Sequence, residues 1–228
     1  ISFNENIKFE NLELSISEEK TGNKKILIHN SSLEISKNQF IGIVGKSGIG
    51  KTTLINYLSG FVDADKSKVT IDGIKLDNSN SISFLNIGIV TQEPLIFEGT
   101  IKENLFFDTN PKIEKEKIDK IIQVADLKSF INQSQLGLEM LIKEKGKNIS
   151  GGQLQRICIA RALMFNPKIL ILDEATSALD LETEKKILLS LKKINDLTCI
   201  IVSHRQETLD FCDKIYEINN KNISLKKK

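Results

Sequence analysis

Cysteine is scarce in this chain. The three residues Cys158, Cys199 and Cys212 are odd in number, widely separated, and each set in a mostly apolar stretch. That pattern excludes a disulfide framework and shows no metal-ligand spacing, so buried free thiols in a reducing compartment are expected. Long apolar runs are also lacking. None approaches the roughly 18 residues that a membrane-spanning helix needs, and no signal peptide opens the chain. A surplus of one charge is missing too, since 32 basic residues against 30 acidic ones leave a formal charge of +2. Affinity for a phosphate backbone needs concentrated Lys and Arg, so no nucleic-acid partner is expected. The short basic run Lys226-Lys227-Lys228 reads as a solvated terminus. Internal repeats and low-complexity segments are absent. The first residue is Ile1 rather than Met, which leads us to expect a piece of something longer.

What remains is an ordinary globular composition, 40% hydrophobic and 27% charged over 228 residues. It suits one large domain, or one domain with an inserted lobe. Ile7 to Phe9 and Leu12 to Ile16 alternate apolar and polar, the period of a half-buried strand. A polar turn from Ser17 to Lys25, containing Gly22-Asn23, leads to a second strand around Ile26 to Ile35. Phe40 to Val44, Ile169 to Leu172 and Thr198 to Val202 are apolar throughout, as expected for central strands covered on both faces. Between them lie helical patterns. Lys51 to Phe61 carries a stripe of Leu54, Leu58 and Phe61, with Tyr57 beside it. About Pro94 to Asn132 reads as helical, with Ile118, Ile121, Ile122 and Ala125 in register. Leu154 to Phe165 forms a helix ending before Asn166-Pro167, and Glu182 to Ile194 one with Ile187, Leu191 and Ile194 on its apolar face. Buried strands alternating with helices predict an α/β fold with a mostly parallel sheet and an inserted helical lobe.

Three motifs carry chemistry. Gly45-Lys46-Ser47-Gly48-Ile49-Gly50-Lys51-Thr52 fits the phosphate-loop pattern between a buried strand and a helix. Its glycines let backbone N–H groups curl around phosphates, and the helix aims its positive end at them. Lys51 can reach the outer phosphates and the Thr52 hydroxyl can hold Mg²⁺. Asp173 and Glu174 end a buried strand at the carboxyl edge of the sheet, where open α/β folds bind ligands. That suits Asp173 to a metal and Glu174 to accepting a proton from an attacking water. Ser150-Gly151-Gly152-Gln153 opens a helix, with Ser150 as N-cap and two glycines leaving backbone N–H groups exposed. Two phosphate sites so far apart in sequence make sense if each subunit's second site completes the other's first.

With these residues in place, nearly the whole chain resembles the nucleotide-binding domain of ABC ATPases. The family's signature is usually Leu-Ser-Gly-Gly-Gln, and Ile149 replaces the leucine here. The resemblance implies a P-loop NTPase core (residues 1–92 and 164–228) with an N-terminal antiparallel β subdomain and a helical subdomain over 93–163. It assigns ATP to Gly45, Lys46, Ser47, Gly48, Ile49, Gly50, Lys51, Thr52 and Thr53. Ser150, Gly151, Gly152 and Gln153 would bind the partner's nucleotide, and Asp180, in Ser177-Ala178-Leu179-Asp180, lies on the loop that couples the two sites. Thr52, Gln92 and Asp173 would serve Mg²⁺, while Glu174, His204 and Gln92 act in catalysis. At the position where the family stacks adenine on an aromatic ring this chain has Ile16, which implies weaker nucleotide binding.

Ile96 to Asn104 and Ile142 to Gly146 are similar to stretches of exporter-type members, the second being their loop against the membrane domain. The resemblance therefore implies an ATPase acting with a second such domain, in a homodimer or heterodimer, and with a transmembrane domain fused upstream of Ile1. It would sit on the cytoplasmic face of the cell membrane. Soluble relatives in DNA repair insert a long coiled coil before the signature, and no sustained heptads occur between Thr52 and Ser150. Translation-associated relatives carry two such domains in one chain. A nucleotide kinase would leave Ser150 to Gln153 without a purpose.

Overall fold

The computed structural model describes residues 2–17, 23–76, 85–107 and 114–226. Gly22 of the expected turn, and Lys227 and Lys228 of the basic tail, lie outside the described residues, as does the side chain of Lys145. Among the described residues, strands and α-helices follow in the order β1 (Asn6–Ser17), β2 (Lys24–Ser36), β3 (Phe40–Val44), α1 (Lys51–Leu58), β4 (Lys66–Ile71), β5 (Ile74–Lys75), β6 (Ile87–Val90), β7 (Gly99–Thr100), α2 (Ile101–Phe106), α3 (Lys115–Val124), α4 (Lys128–Gln133), β8 (Leu141–Ile142), α5 (Gly151–Met164), β9 (Ile169–Asp173), α6 (Leu181–Leu191), β10 (Thr198–Val202), α7 (Gln206–Leu209), β11 (Lys214–Asn219) and β12 (Asn222–Lys226).

The strands form an antiparallel sheet ordered β2-β1-β4-β5 and a second sheet ordered β12-β11-β3-β10-β9-β6. In the second sheet only β12 runs antiparallel to its neighbour. The apolar runs behave as two-faced strands. Phe40, Leu170, Leu172, Cys199 and Ile201 enter one buried cluster with the helices α2, α3, α5 and α6. Ile41, Ile43, Ile169, Ile171, Ile200 and Val202 enter a second cluster with α1 and the antiparallel sheet. Each fully buried aliphatic side chain adds roughly 1.5–3 kcal/mol of burial, so this double-sided packing fixes the register of the strands that carry the site.

Several boundaries depart from the periodicity. Helix α1 stops at Leu58, where Ser59 caps it and Gly60 takes a left-handed turn (φ 77°). Phe61 consequently leaves the stripe and is 72% exposed. The stretch from Pro94 is not one helix. It opens as a loop, pairs as β7 with β8, and then breaks into α2, α3 and α4. A capping box at Thr100 and Glu103 starts α2, and Phe107 in the left-handed region ends it. Helix α6 ends at Leu191, and Ile194 packs on the core from the turn beyond it. All three cysteines are buried and in no disulfide, and no described helix is long and apolar enough to cross a membrane.

Candidate functional site

The carboxyl ends of four parallel strands meet along one edge. Ile43, Val202 and Asp173 stand in one row across β3, β10 and β9, and Val90 pairs with Leu172 next door. The segments beginning with Gly45, Glu174, His204 and Gln92 therefore leave the sheet side by side, although up to 160 residues separate them in sequence. The order places β10 between β3 and β9, which sets His204 between the phosphate loop and the acids.

Gly45 to Gly50 wraps the start of α1. Gly50 is the N-cap with φ 116° and no side-chain capping bond. A Cβ there would stand 3.1 Å from Leu27 Cβ on β2, so both the backbone angle and the space call for glycine. Lys51 is buried (8% exposed), and its Nζ donates to the carbonyls of Gly45 (2.8 Å) and Lys46 (3.2 Å). Among the described residues this ammonium makes no ion pair. Lys46, Ser47, Gly48 and Thr52 are exposed, and Ile49 and Thr53 half-buried. A buried cation resting on two carbonyls inside a loop of N–H donors fits an incoming polyphosphate, which can replace those carbonyls with charged oxygens.

Asp173 is half-buried, and its carboxyl is pushed above the usual carboxylate range by burial and by Glu174, with Lys51 pulling it back. Glu174 Oε1 lies 3.3 Å from His204 Nε2. Its backbone is in the left-handed region (φ 51°), and its N–H donates to Val202 O at 3.1 Å. Of the eleven described non-glycine residues with positive φ, eight are Asn or Asp. A glutamate there is the unusual case. Gln92 is exposed, just past β6. No group of three or more His, Cys, Asp or Glu that could hold a metal occurs among the described residues. The donor set is instead one hydroxyl, one amide and one carboxylate, which suits a Mg²⁺ ion that keeps waters and takes phosphate oxygens.

Ser150 caps α5 with a full capping box. Its Oγ accepts from Gln153 N (3.2 Å), and its N–H donates to Gln153 Oε1 (2.8 Å). The N–H groups of Gly151 and Gly152 are left without an intrahelical acceptor. No described hydrogen bond or ion pair joins 150–153 to the phosphate loop. Asp180 caps α6 by accepting from Thr183 N (2.9 Å), and those N–H bonds hold its carboxyl below the usual range. Ile16 is 42% exposed on β1, opposite Lys25 of β2. The β7–β8 pairing sets Gly99 and Thr100 against Ile142 and Leu141, bringing the two exporter-like stretches together.

Sequence reading passed over the polar residues that brace these loops. Glu184 (2% exposed) accepts from Thr176 Oγ1 (2.6 Å) and Thr208 Oγ1 (2.7 Å), and from Arg205 Nη1 (2.9 Å). Arg161 donates to Leu95 O (2.6 Å) and Asn104 O (2.6 Å) and lies over the Phe107 ring, holding the segment after Gln92. Position gave a signal for both. Glu184 falls on the apolar face of Ile187, Leu188 and Leu191, and Arg161 on that of Ile157 and Met164, where a charge must be paired.

A family model described as ABC transporter matches residues 28–177. The chain is 39% identical over 198 residues to an ATP-dependent lipid A-core flippase of Pasteurella multocida (strain Pm70), covering 86% of this chain and 34% of that protein. It is 41% identical over 215 residues to a putative export ATP-binding/permease protein of Rickettsia typhi, covering 93% and 37%. The chain thus spans little more than a third of these relatives. Among solved structures, a bacterial Atm1-family ABC exporter with ATP bound superposes with a TM-score of 0.84 at 29% identity, covering 98% of this chain and 39% of the other. This chain belongs to the ABC transporter family, and its fold is that of the family's ATPase domain.

Proposed function

We propose that the chain binds and hydrolyses ATP as one half of a dimer, and that the cycle drives an exporter's membrane domain on the cytoplasmic face of the cell membrane. One observation carries the reading. A phosphate loop whose buried lysine makes no ion pair among the described residues coexists with a second helix N-terminus at Ser150 that no described hydrogen bond or ion pair joins to it. A second copy, or a related domain, supplies what is missing on each side.

Within this scheme Gly45 to Thr53 cradle the phosphates, and Lys51 exchanges its carbonyls for the outer phosphate oxygens. Glu174 takes the proton from the water that attacks the terminal phosphorus, the bond to the leaving ADP oxygen breaks, and phosphate departs. His204 holds the Glu174 carboxylate in line. Mg²⁺, held by Thr52, Asp173 and Gln92, would neutralise charge on the phosphates and oppose the upward pull on the Asp173 carboxyl. Ser150, Gly151, Gly152 and Gln153 face the partner's nucleotide, and Asp180 stands at the seam. The reading of a membrane partner is supported by the relatives' printed role as joint ATP-binding and permease proteins. It is also supported by an exposed apolar rim: Phe61 (72%), Leu95 (73%), Phe107 (52%) and Phe165 (49%) surround a groove of about 490 Å³ beside β6. Exposed aromatic residues gathered around a groove mark a protein contact.

The decisive experiment is the mass in solution of Glu174→Gln with and without ATP. ATP should convert monomer to dimer. A monomer at saturating ATP removes the homodimer of the isolated domain, and a lack of ATP-driven closure in the intact transporter as well removes the shared-site reading. Adenine is the weak element. Leu27 brings β2 over Gly50, and the family resemblance sets the base toward the outer end of the β1–β2 pair, where Ile16 offers contact but no ring. Ile16→Tyr should tighten ATP about 3- to 10-fold, the value of one aromatic stacking contact. Unchanged affinity in a titration would show that the base does not rest on this position.

A further inference from the structure

The segment 175–179, directly after Glu174, is gripped from two sides. On one side stands Arg205, the neighbour of His204. Its guanidinium donates to the carbonyls of Ser177 (2.8 Å) and Leu179 (3.0 Å), and is itself anchored on buried Glu184. On the other side stands Gln155, one turn into α5. It is 2% exposed, accepts from Ala178 N through Oε1 (2.9 Å), and donates from Nε2 to Ser177 Oγ (3.3 Å). A separate contact reports the same closeness. A Cβ on Gly152 would stand 3.1 Å from Ala178 O and 3.3 Å from Leu179 Cδ2. The first turn of α5 therefore lies directly on this segment.

We infer that Gln155 is a positioning residue. Its amide sets the open N-terminus of α5, which serves the partner's nucleotide, against the segment that leaves the Glu174–His204 pair of its own subunit. The inference rests on the shared-site reading above. Its physical content is that a buried amide with both ends satisfied fixes one arrangement, because any other leaves a buried donor or acceptor unpaired. The two halves of the grip also face different sites. Arg205 follows the residue that holds Glu174, and Gln155 follows the cap that faces the partner. Movement at one site cannot leave the other cap where it was, and the two turnover events are linked.

The test compares ATP turnover in the intact protein carrying this chain. Wild type should show a Hill coefficient above about 1.5, approaching its ceiling of two sites. Gln155→Met keeps the volume and removes both bonds. It should lower kcat about 10-fold, bring the Hill coefficient to about 1, and leave the dissociation constant for ATP within twofold. A purely structural role for Gln155 would change melting and not the Hill coefficient. Arg205→Lys leaves α5 untouched, loses the fork to the carbonyls, and should shift the Hill coefficient the same way; it decides the matter if Gln155→Met does not fold. Cooperative turnover within twofold of wild type in the folded variants overturns the inference. A wild-type protein that binds ATP but turns it over without cooperativity overturns it as well. A wild-type protein that binds no ATP overturns the reading beneath it.

Discussion

Glu174→Gln lowers ATP turnover by roughly 10²- to 10⁴-fold, the worth of a positioned general base, while ATP affinity stays within a few fold of wild type. The substitution keeps the size of the side chain and a hydrogen-bonding partner for His204, which lies 3.3 Å from Glu174 Oε1. It removes only the capacity to take a proton. A carboxylate held this way acts on a step that the phosphate loop does not control, so kcat falls and binding does not. Steady-state phosphate release beside equilibrium nucleotide binding checks it. Turnover within tenfold of wild type would move the base to another residue, and Asp173, its neighbour, would be the next to test.

Lys51→Ala acts at the opposite step. The Lys51 ammonium is buried and rests on the carbonyls of Gly45 and Lys46, and among the described residues no anion contacts it, which a phosphate ligand would do. Each hydrogen bond to a charged group is worth about 1.5–3 kcal/mol. Losing two such bonds weakens ATP about 10²-fold or more. Calorimetric titration reads this directly, and an affinity within threefold would mean that the lysine faces elsewhere when nucleotide arrives. Because Lys51 makes no ion pair among the described residues, the same change should leave folding nearly intact. That separates it from removal of a bonded charge such as Glu184.

The two variants also show what was legible in the chain. Gly45 to Thr52 could be read because phosphate chemistry demands a local pattern, and Asp173-Glu174 because a fully apolar strand announced where it would end. The Ser150 cap was readable for a similar local reason, and α5 starts where that cap puts it. The brace around them was not legible. Gln155, Glu184 and Arg205 are separated by 20 residues or more and converge on 175–179 from α5, from α6 and from the turn after β10. Locally, Gln155 and Glu184 differ from solvated polar residues only by their place on buried helix faces, and Arg205, the N-cap of α7, carries no such signal. The strands β11 and β12 escaped because Ile215, Tyr216, Ile218 and Ile223 form short runs after the last motif, and the pairing of β11 with β3 is a tertiary event. The break-up of 94–132 into separate short elements came from the turn chemistry of Gly99 and Phe107, which helical spacing cannot report.

Glu174 sits in a backbone conformation that a glycine would hold more cheaply. Non-glycine residues kept there cost on the order of 1–3 kcal/mol, against a typical total domain stability of roughly 5–15 kcal/mol. The fold spends that stability at the residue we propose takes the proton. Any lineage of this domain selected for thermal endurance alone would be drawn to relax that turn, and would lose the proposed base in doing so.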